Sequence, residues 1–363
     1  MARSKFRRAP RFENLESREL LSTIPSSQAP SNEAQYMLQV LNLVRTNPQA
    51  AVQYLEDNIT PDISATLNFY GVNLQQTLQQ IGSMSAQPPL AWNQDLANAA
   101  QSHSQDMETN GFQSHNGSDG STPLQRITSA GYTNSTHSGE NVYAYSDSVD
   151  YAMEAFLLDW GVSDVGHRTN IMEPGTAPQN AYKDVGIGIV NGSGPKGIGP
   201  MVVTQDFGIQ SGEQAQVVGV AYNGTGLYQP GEGTANVQIT AVNLASGQVS
   251  STQTWSSGGY ELALNPGKYL IIASQNNQVI SSQTININNV NVEADFNTGA
   301  ARQGTSLSAA IAAAQPKTQM QTLATQKSAM VSIPTATKQP VSAPVVSSID
   351  WNWAVSTAKK ANS

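Results

Sequence analysis

The sequence predicts an α+β domain followed by a small all-β domain, with low-complexity segments at both ends. Three observations predict this. Apolar residues recur at helical spacing between Asn32 and Trp160, they give way to two short β-like runs between Val185 and Phe207, and from Glu213 onward alternating runs are separated by turn clusters every 8 to 12 residues or so. A chain of 363 residues also has room for two domains, since domains usually hold about 100 to 200 residues.

Residues 1–31 divide into a basic N-terminal segment and a Pro/Ser-rich linker from Thr23. Asn32 with Gln35 three residues on forms a capping box, and Met37, Val40, Leu41 and Val44 then make one apolar stripe. Asn47-Pro48 supplies a cap and a first-turn proline for a second helix through Val52 and Leu55. Leu96, Ala99, Ala100, His103 and Met107 define another, which Asn110-Gly111 ends because glycine tolerates the left-handed backbone of a helix stop. Thr122-Pro123-Leu124-Gln125 repeats the start signal for a short helix to Ala130, closed by Gly131. Val149, Ala152, Met153, Phe156 and Trp160 mark a further amphipathic helix.

The period then changes. VGIGIV (Val185–Val190) and MVVTQDF (Met201–Phe207) read as strands joined by NGSGPKGIGP, which makes residues 32–210 a mixed, layered domain. Val237/Ile239/Ala241, Leu262/Leu264, Ile285/Ile287 and Val290/Val292/Ala294/Phe296 alternate with polar residues between NGTG, PGEG, SSGG and NPGK turns, so residues 213–298 read as a small β-sandwich. Residues 299–363 are rich in Ala, Thr, Gln, Ser and Pro and read as a mostly disordered tail.

The net charge of −8 is unevenly spread. The first 22 residues carry +3 and the last 65 carry +5, which leaves −16 on the body between them. Such a body repels phosphate backbones, so no nucleic-acid partner is expected, and it attracts cations. Without cysteine there are no disulfides and no thiolate ligands or nucleophiles. No run of about 18 apolar residues offers a transmembrane segment.

All four histidines fall between His103 and His167. His103 sits on an apolar helical stripe and reads as a buried imidazole satisfied by a local hydrogen bond, while His137 reads as solvated in a polar loop. His115, Glu140 and His167 are each flanked by small residues at an expected junction between elements. Two imidazoles and a carboxylate match the donors of a divalent metal, zinc ahead of calcium, and the same three are candidate catalytic acid/base groups. Their spacings of 25 and 27 residues form no compact metal motif, so separate loop and capping roles remain open on the residues alone. Asn141 and Arg168 either hold Glu140 and the helix after His167 or act as caps, and Asp119 reads as a turn former.

PPLAWNQDLANAAQSHSQDMETNGFQSHNGSDGSTPLQRITSAGY, SGENVYAY, AFLLDWGVSDVGHRTNIMEP, DVGIGIV and VVTQDFG, in that order, resemble a bacterial member of the CAP superfamily. That superfamily, also called SCP-like, includes cysteine-rich secretory, antigen 5 and pathogenesis-related proteins. The resemblance implies a three-layer α-β-α sandwich whose cleft is lined by two His and two Glu. It assigns His115 as the first His and Glu140 as the first Glu, places His167 in the bacterial GHRxNI motif and matches Trp160. Two positions depart from it: Val202 stands where animal and plant members have the second His, and Ser163 and Asp164 stand near the place of the second Glu.

FENLESRELLS resembles an export tag at the start of planctomycete surface and secreted proteins, which implies a secreted or cell-surface location. The stretch from Gly219 to Val242, with GGYELALNPGKYLI after it, resembles carboxypeptidase-regulatory-like sandwich modules. Three functions follow as expectations. The first is an exported binding protein holding a divalent cation and a small lipid, hydrophobic or peptide ligand in the cleft. The second is a surface or matrix protein whose β-sandwich contacts a cell-surface component. The third is a metal- or Glu/His-assisted hydrolase, although neither Ser114 nor Ser138 lies in a nucleophile elbow.

Overall fold

Gly186 and Gly188 lie on a strand against which a helix backbone rests directly, and this close contact organises the first half of the structure. The structure is a computed structural model describing residues 21–22, 29–299 and 304–316; most of the segment read as tag and linker, and most of the tail, lie outside the described residues. A four-stranded sheet has the order β2 (Ala91–Trp92), β4 (Asp184–Asn191), β5 (Met201–Gln210), β3 (Ser135–Ser146), with β3, β5 and β4 antiparallel and β2 parallel to β4. One face of it packs Val185, Ile187, Val203 and Phe207 into the main core with α1 (Asn32–Thr46), α2 (Pro48–Asn58) and α7 (Val149–Leu158). The other takes α5 (Gln94–Asn110) and α6 (Pro123–Ala130), with Met107, Val142, Val190 and Val202 in one cluster and Leu96, Ala99, Ile127 and Tyr132 in another. Helices therefore cover both faces, and this half is mixed α and β as expected.

The helix starts follow the cap chemistry. Asn47 caps α2, and at α6 Thr122 and Gln125 form the reciprocal box. The cap of α1 falls one residue earlier than the expected box, on the Ser31 hydroxyl, which accepts from Ala34 N at 3.1 Å. Two helices come in addition to those expected, α3 (Pro61–Phe69) and α4 (Leu74–Gly82), capped by Thr60 and Asn73. α8 (Gly166–Met172) follows α7 and carries His167. Helix α1 is not one-sided as its stripe suggests: Gln35, Gln39, Asn42 and Arg45 are buried along with the apolar residues. Val220, Tyr228 and Trp255, from the second half of the chain, join the same core and cover it.

That second half is built of strands. β8 (Val249–Gln253), β7 (Gln238–Asn243), β10 (Gly267–Gln275) and β11 (Gln278–Ile287) form one sheet, to whose edge the two-residue β1 (Leu21–Ser22) adds in parallel. β6 (Gln216–Tyr222) pairs with β9 (Gly259–Ala263) and with the short β12 (Val292–Glu293) and β13 (Phe296–Asn297). Val217, Leu262 and Phe296 of the one and Ile239, Ile271 and Ile287 of the other close a common apolar cluster. Strand β6 is buried on both sides: Val217 and Ala221 face that cluster, while Val220 joins the helical core. Within the segment read as a tail, α9 (Leu307–Ala314) packs Leu307 onto Val242 and Ile272.

Candidate functional site

Gly111 ends α5 in the left-handed region at φ +70, and a Cβ there would stand 2.8 Å from the Pro195 carbonyl. The chain turns here into the loop carrying His115, and the loop is braced at several points. Asp106 accepts from Ser118 N at 2.8 Å and from its hydroxyl at 2.5 Å, and these bonds hold its pKa below the usual carboxylate value despite some burial. His103, 1% exposed, donates from Nε2 to the Ser114 carbonyl at 2.8 Å. Burial lowers the His103 pKa, so the ring is neutral at pH 7 and carries its proton on Nε2, as expected of a buried histidine with a local partner.

His115 Nδ1 meets Glu140 Oε1 at 2.8 Å. The Glu140 side chain is 2% exposed, whereas that of His115 is 55% exposed. Glu140 Oε2 accepts from Arg126 Nη2 at 2.5 Å, and the same guanidinium donates to the His115 carbonyl at 2.9 Å and, through Nη1, to the Ser121 carbonyl at 2.9 Å. Arg126 therefore ties α6, the His115 loop and strand β3 together. Glu140 lies within β3 rather than at a junction, and His137 lies in the same strand rather than in a loop, stacked on Tyr182 at 4.6 Å.

Directly across the ladder from Glu140 stands Asp206 of β5, 1% exposed and without a donor to either oxygen. Burial first, and then the charge of Glu140, push its pKa well above the ordinary carboxylate value. A cavity of about 300 Å³ opens between His115, Glu140, Asp206 and α6, with Leu124 and Ile127 as its apolar wall. Leu124 is 57% exposed at its mouth. On the other side of Arg126, a polar cavity of about 370 Å³ is lined by His103, Asp106 and Ser121.

His167 is held separately. Its Nδ1 meets Asp159 Oδ1 at 2.8 Å, while Asp159 Oδ2 accepts from Arg168 N at 3.0 Å and so caps the start of α8. Asn170, one turn further, donates to the Glu140 carbonyl at 3.1 Å and to Asn141 Oδ1 at 2.9 Å; Asn141 donates to the His167 carbonyl at 3.3 Å. α8 is thus tied to the backbone at Glu140, but His167 is not among the residues lining the His115 cavity. Among the described residues no three His, Asp or Glu side chains are grouped as a metal-holding set. Asp119 forms a turn, its Oδ1 accepting from Ser121 N at 2.8 Å. Val202 is fully buried in an apolar cluster, and Ser163 and Asp164 are exposed.

The structure thus brings His115 and Glu140 together and adds Arg126 and Asp206, which the sequence reading did not name. Asp206 had a signal: a carboxylate in the run MVVTQDF of a strand with neighbours on both sides has no route to solvent. Arg126 had none, because one exposed-face arginine on a short helix looks like any other.

Residues 38–207, just under half of the chain, match the family described as the cysteine-rich secretory protein family, CAP. An extracellular protein containing an SCP domain from Bacillus anthracis str. Ames is 24% identical, with 42% of this chain and 44% of that one covered, at a TM-score of 0.27. An outer surface protein from Borrelia burgdorferi is 15% identical, with 39% of this chain and 90% of that one covered, at a TM-score of 0.28. The chain thus spans less than half the length of the first of these. No curated protein matches it. No helix among the described residues is long and apolar enough to cross a membrane.

Proposed function

We propose that residues 38–207 form a CAP domain, with the α-β-α fold of that family, in an exported protein. Its cleft binds a divalent cation together with a small lipid or peptide ligand, and residues 213–298 are a separate β-sandwich module. One observation carries the proposal: a buried carboxylate anchors His115 by Nδ1 at the mouth of a cavity with an apolar wall. Anchoring Nδ1–H leaves Nε2 as the free lone pair, the arrangement in which imidazole serves best as a metal ligand or acceptor. Asp159 anchors His167 by the same atom.

Glu140, whose two oxygens are taken by His115 and Arg126, then orients the imidazole rather than contacting the cation. When bound, zinc would supply a Lewis-acidic centre at the cavity mouth. Leu124 and Ile127 supply the surface for the apolar part of the ligand.

Elemental analysis of the purified full chain is the test. About one zinc per chain is expected in the wild type, with a loss of tenfold or more in zinc affinity in His115→Ala, of the order seen when a metal-site partner is removed. His167→Ala decides whether the second imidazole shares the ion. A wild-type chain that retains no metal after incubation with zinc rejects the cation part of the reading. Hydrolase activity is favoured only if turnover of a peptide or ester panel disappears in Glu140→Gln.

A further inference from the structure

The contact between the two halves of the chain contains a cluster of acids as well as apolar surface. Strand β9 pairs with β6 so that Glu261 lies beside Val218, on the face turned toward the helices and first sheet, while Leu262 faces the common core of the β-strands. Glu261 accepts from the backbone N–H of Trp92, and its Oε2 is shielded from solvent without a partner. Ala91, the neighbour of Trp92, is the parallel register partner of Asp184. Asp184 is 2% exposed and accepts from Tyr132 Oη at 2.9 Å and Asn93 Nδ2 at 3.4 Å. The carboxyl of Glu213, on the link between β5 and β6, lies within hydrogen-bonding reach of Asp184.

Three carboxyls from three elements therefore meet at the joint. The Lys183 ammonium beside them spends its hydrogen bond on the Glu213 carbonyl at 2.9 Å. Neutral side chains make further polar links across the joint. Asn291 donates to the carbonyls of Pro89 and Lys183 and accepts from Gln216 N, and Ser257 donates to Gln35 Oε1 at 3.4 Å. Like-charged carboxylates this close can share a hydrogen bond only while one of them keeps its proton.

We propose that this contact is a pH-gated joint: it is closed while Asp184 and Glu261, packed beside the Glu213 carboxyl, retain protons, and it loosens when both ionise. The direction follows from burial and mutual repulsion, which raise Glu261 to about 8 and Asp184 well above the ordinary value. A carboxyl raised in the closed state contributes its stabilisation fully below its unperturbed value, and the contribution is lost as pH rises through the closed-state value. The window for Glu261 is therefore about pH 4.5 to 8. Glu154, also raised to about 8 by burial and the nearby Asp150, titrates in the same window but on α7. Glu293 on β12 and Asp295, between β12 and β13, are raised as well; Asp295 accepts from Val220 N at 2.8 Å, a bond that ionisation strengthens. A whole-molecule melt would mix these groups, so the readout has to be local.

Hydrogen exchange of the β9 segment in the full chain, corrected for intrinsic rates and compared at pH 6 and pH 8, provides it. Protection in the wild type is expected to fall more than about tenfold across that interval, the size a closed-state value near 8 implies. Glu261→Gln, which keeps size and hydrogen bonding, is expected to remove most of the fall; Asp184→Asn tests the same point should the first variant fold poorly. Wild-type protection independent of pH, or an undiminished fall in a folded Gln or Asn variant, overturns the proposal.

Discussion

Arg45→Ala is expected to cost about 3–5 kcal/mol, the usual loss when one partner of a buried ion pair is removed. For a chain of this size that lowers the melting temperature by roughly 10 °C. Arg45 is 0% exposed, and its guanidinium stands 3.0 Å from Glu173 Oε2. It also donates to the carbonyls of Pro88 at 3.0 Å, Ile171 at 2.6 Å and Tyr182 at 3.4 Å. Truncation leaves the buried Glu173 carboxylate without its counter-charge, with the Tyr182 N–H as its remaining donor, and takes a donor from three carbonyls. Burial already raises the Glu173 pKa, and Arg45 opposes that rise. Without Arg45 it rises further, so the folded variant recovers part of the loss as pH falls and Glu173 takes a proton. Urea unfolding at pH 5 and pH 8 checks both points: a loss under about 1 kcal/mol at pH 8, or a larger loss at pH 5, contradicts this account. Combining Arg45→Met with Glu173→Leu is expected to restore most of the stability, because no buried charge is then left alone.

Arg45 also shows where the sequence stops being legible. The stripe of Met37, Val40, Leu41 and Val44 locates α1 and its inward face, but its polar residues are buried by segments far away in sequence: Arg45 by Ile171 and Glu173, Asn42 by Leu90 and Gln35 by Ser257. No local period encodes such a long-range contact. Cap chemistry was legible at Asn47, Thr122 and Gly111, since those signals are complete within four residues. The same signal at Thr60-Pro61 passes unnoticed because α3 buries only Ile63 and Leu67, too few apolar residues to set a period. At the site, His115 and Glu140 were singled out by composition and by family resemblance, and their hydrogen bond joins residues 25 apart. The run MVVTQDF marks Asp206 as buried, but only the sheet order, with β5 between β3 and β4, makes it the neighbour of Glu140, and Arg126 reaches Glu140 only because the His115 loop folds back beside α6. Asp159 beneath His167 depends on a left-handed residue with φ 59 that is not glycine, a conformation set by the fold around it.

Gly186→Ala should be at least as damaging, at about 3 kcal/mol or outright failure to fold, because overpacking against backbone cannot be relieved by a side-chain rotation. A Cβ at Gly186 would stand 2.0 Å from Ala97 N and 2.1 Å from Leu96 C; at Gly188 it would stand 2.3 Å from Ala100 C and from Gln101 N. The two glycines form a flat track on β4 that lets α5 lie directly on the sheet. Gly166→Ala is the control: its nearest neighbour would be 3.5 Å away, so it is expected to be neutral or slightly stabilising in helix α8. The damage at Gly186 should also reach the site. Gly186 is the register partner of Asp206, which pairs with Glu140, and α5 delivers the His115 loop from its C-terminal end. Lifting α5 from β4 therefore pulls His115 away from the carboxylate that orients it. If the variant folds at low temperature, the nitrogen-15 shifts of the His115 ring should move from the Nδ1–H form toward the tautomer mixture of a free imidazole. A folded Gly186→Ala chain with wild-type ring shifts would show that the His115 loop holds its place without the α5 contact.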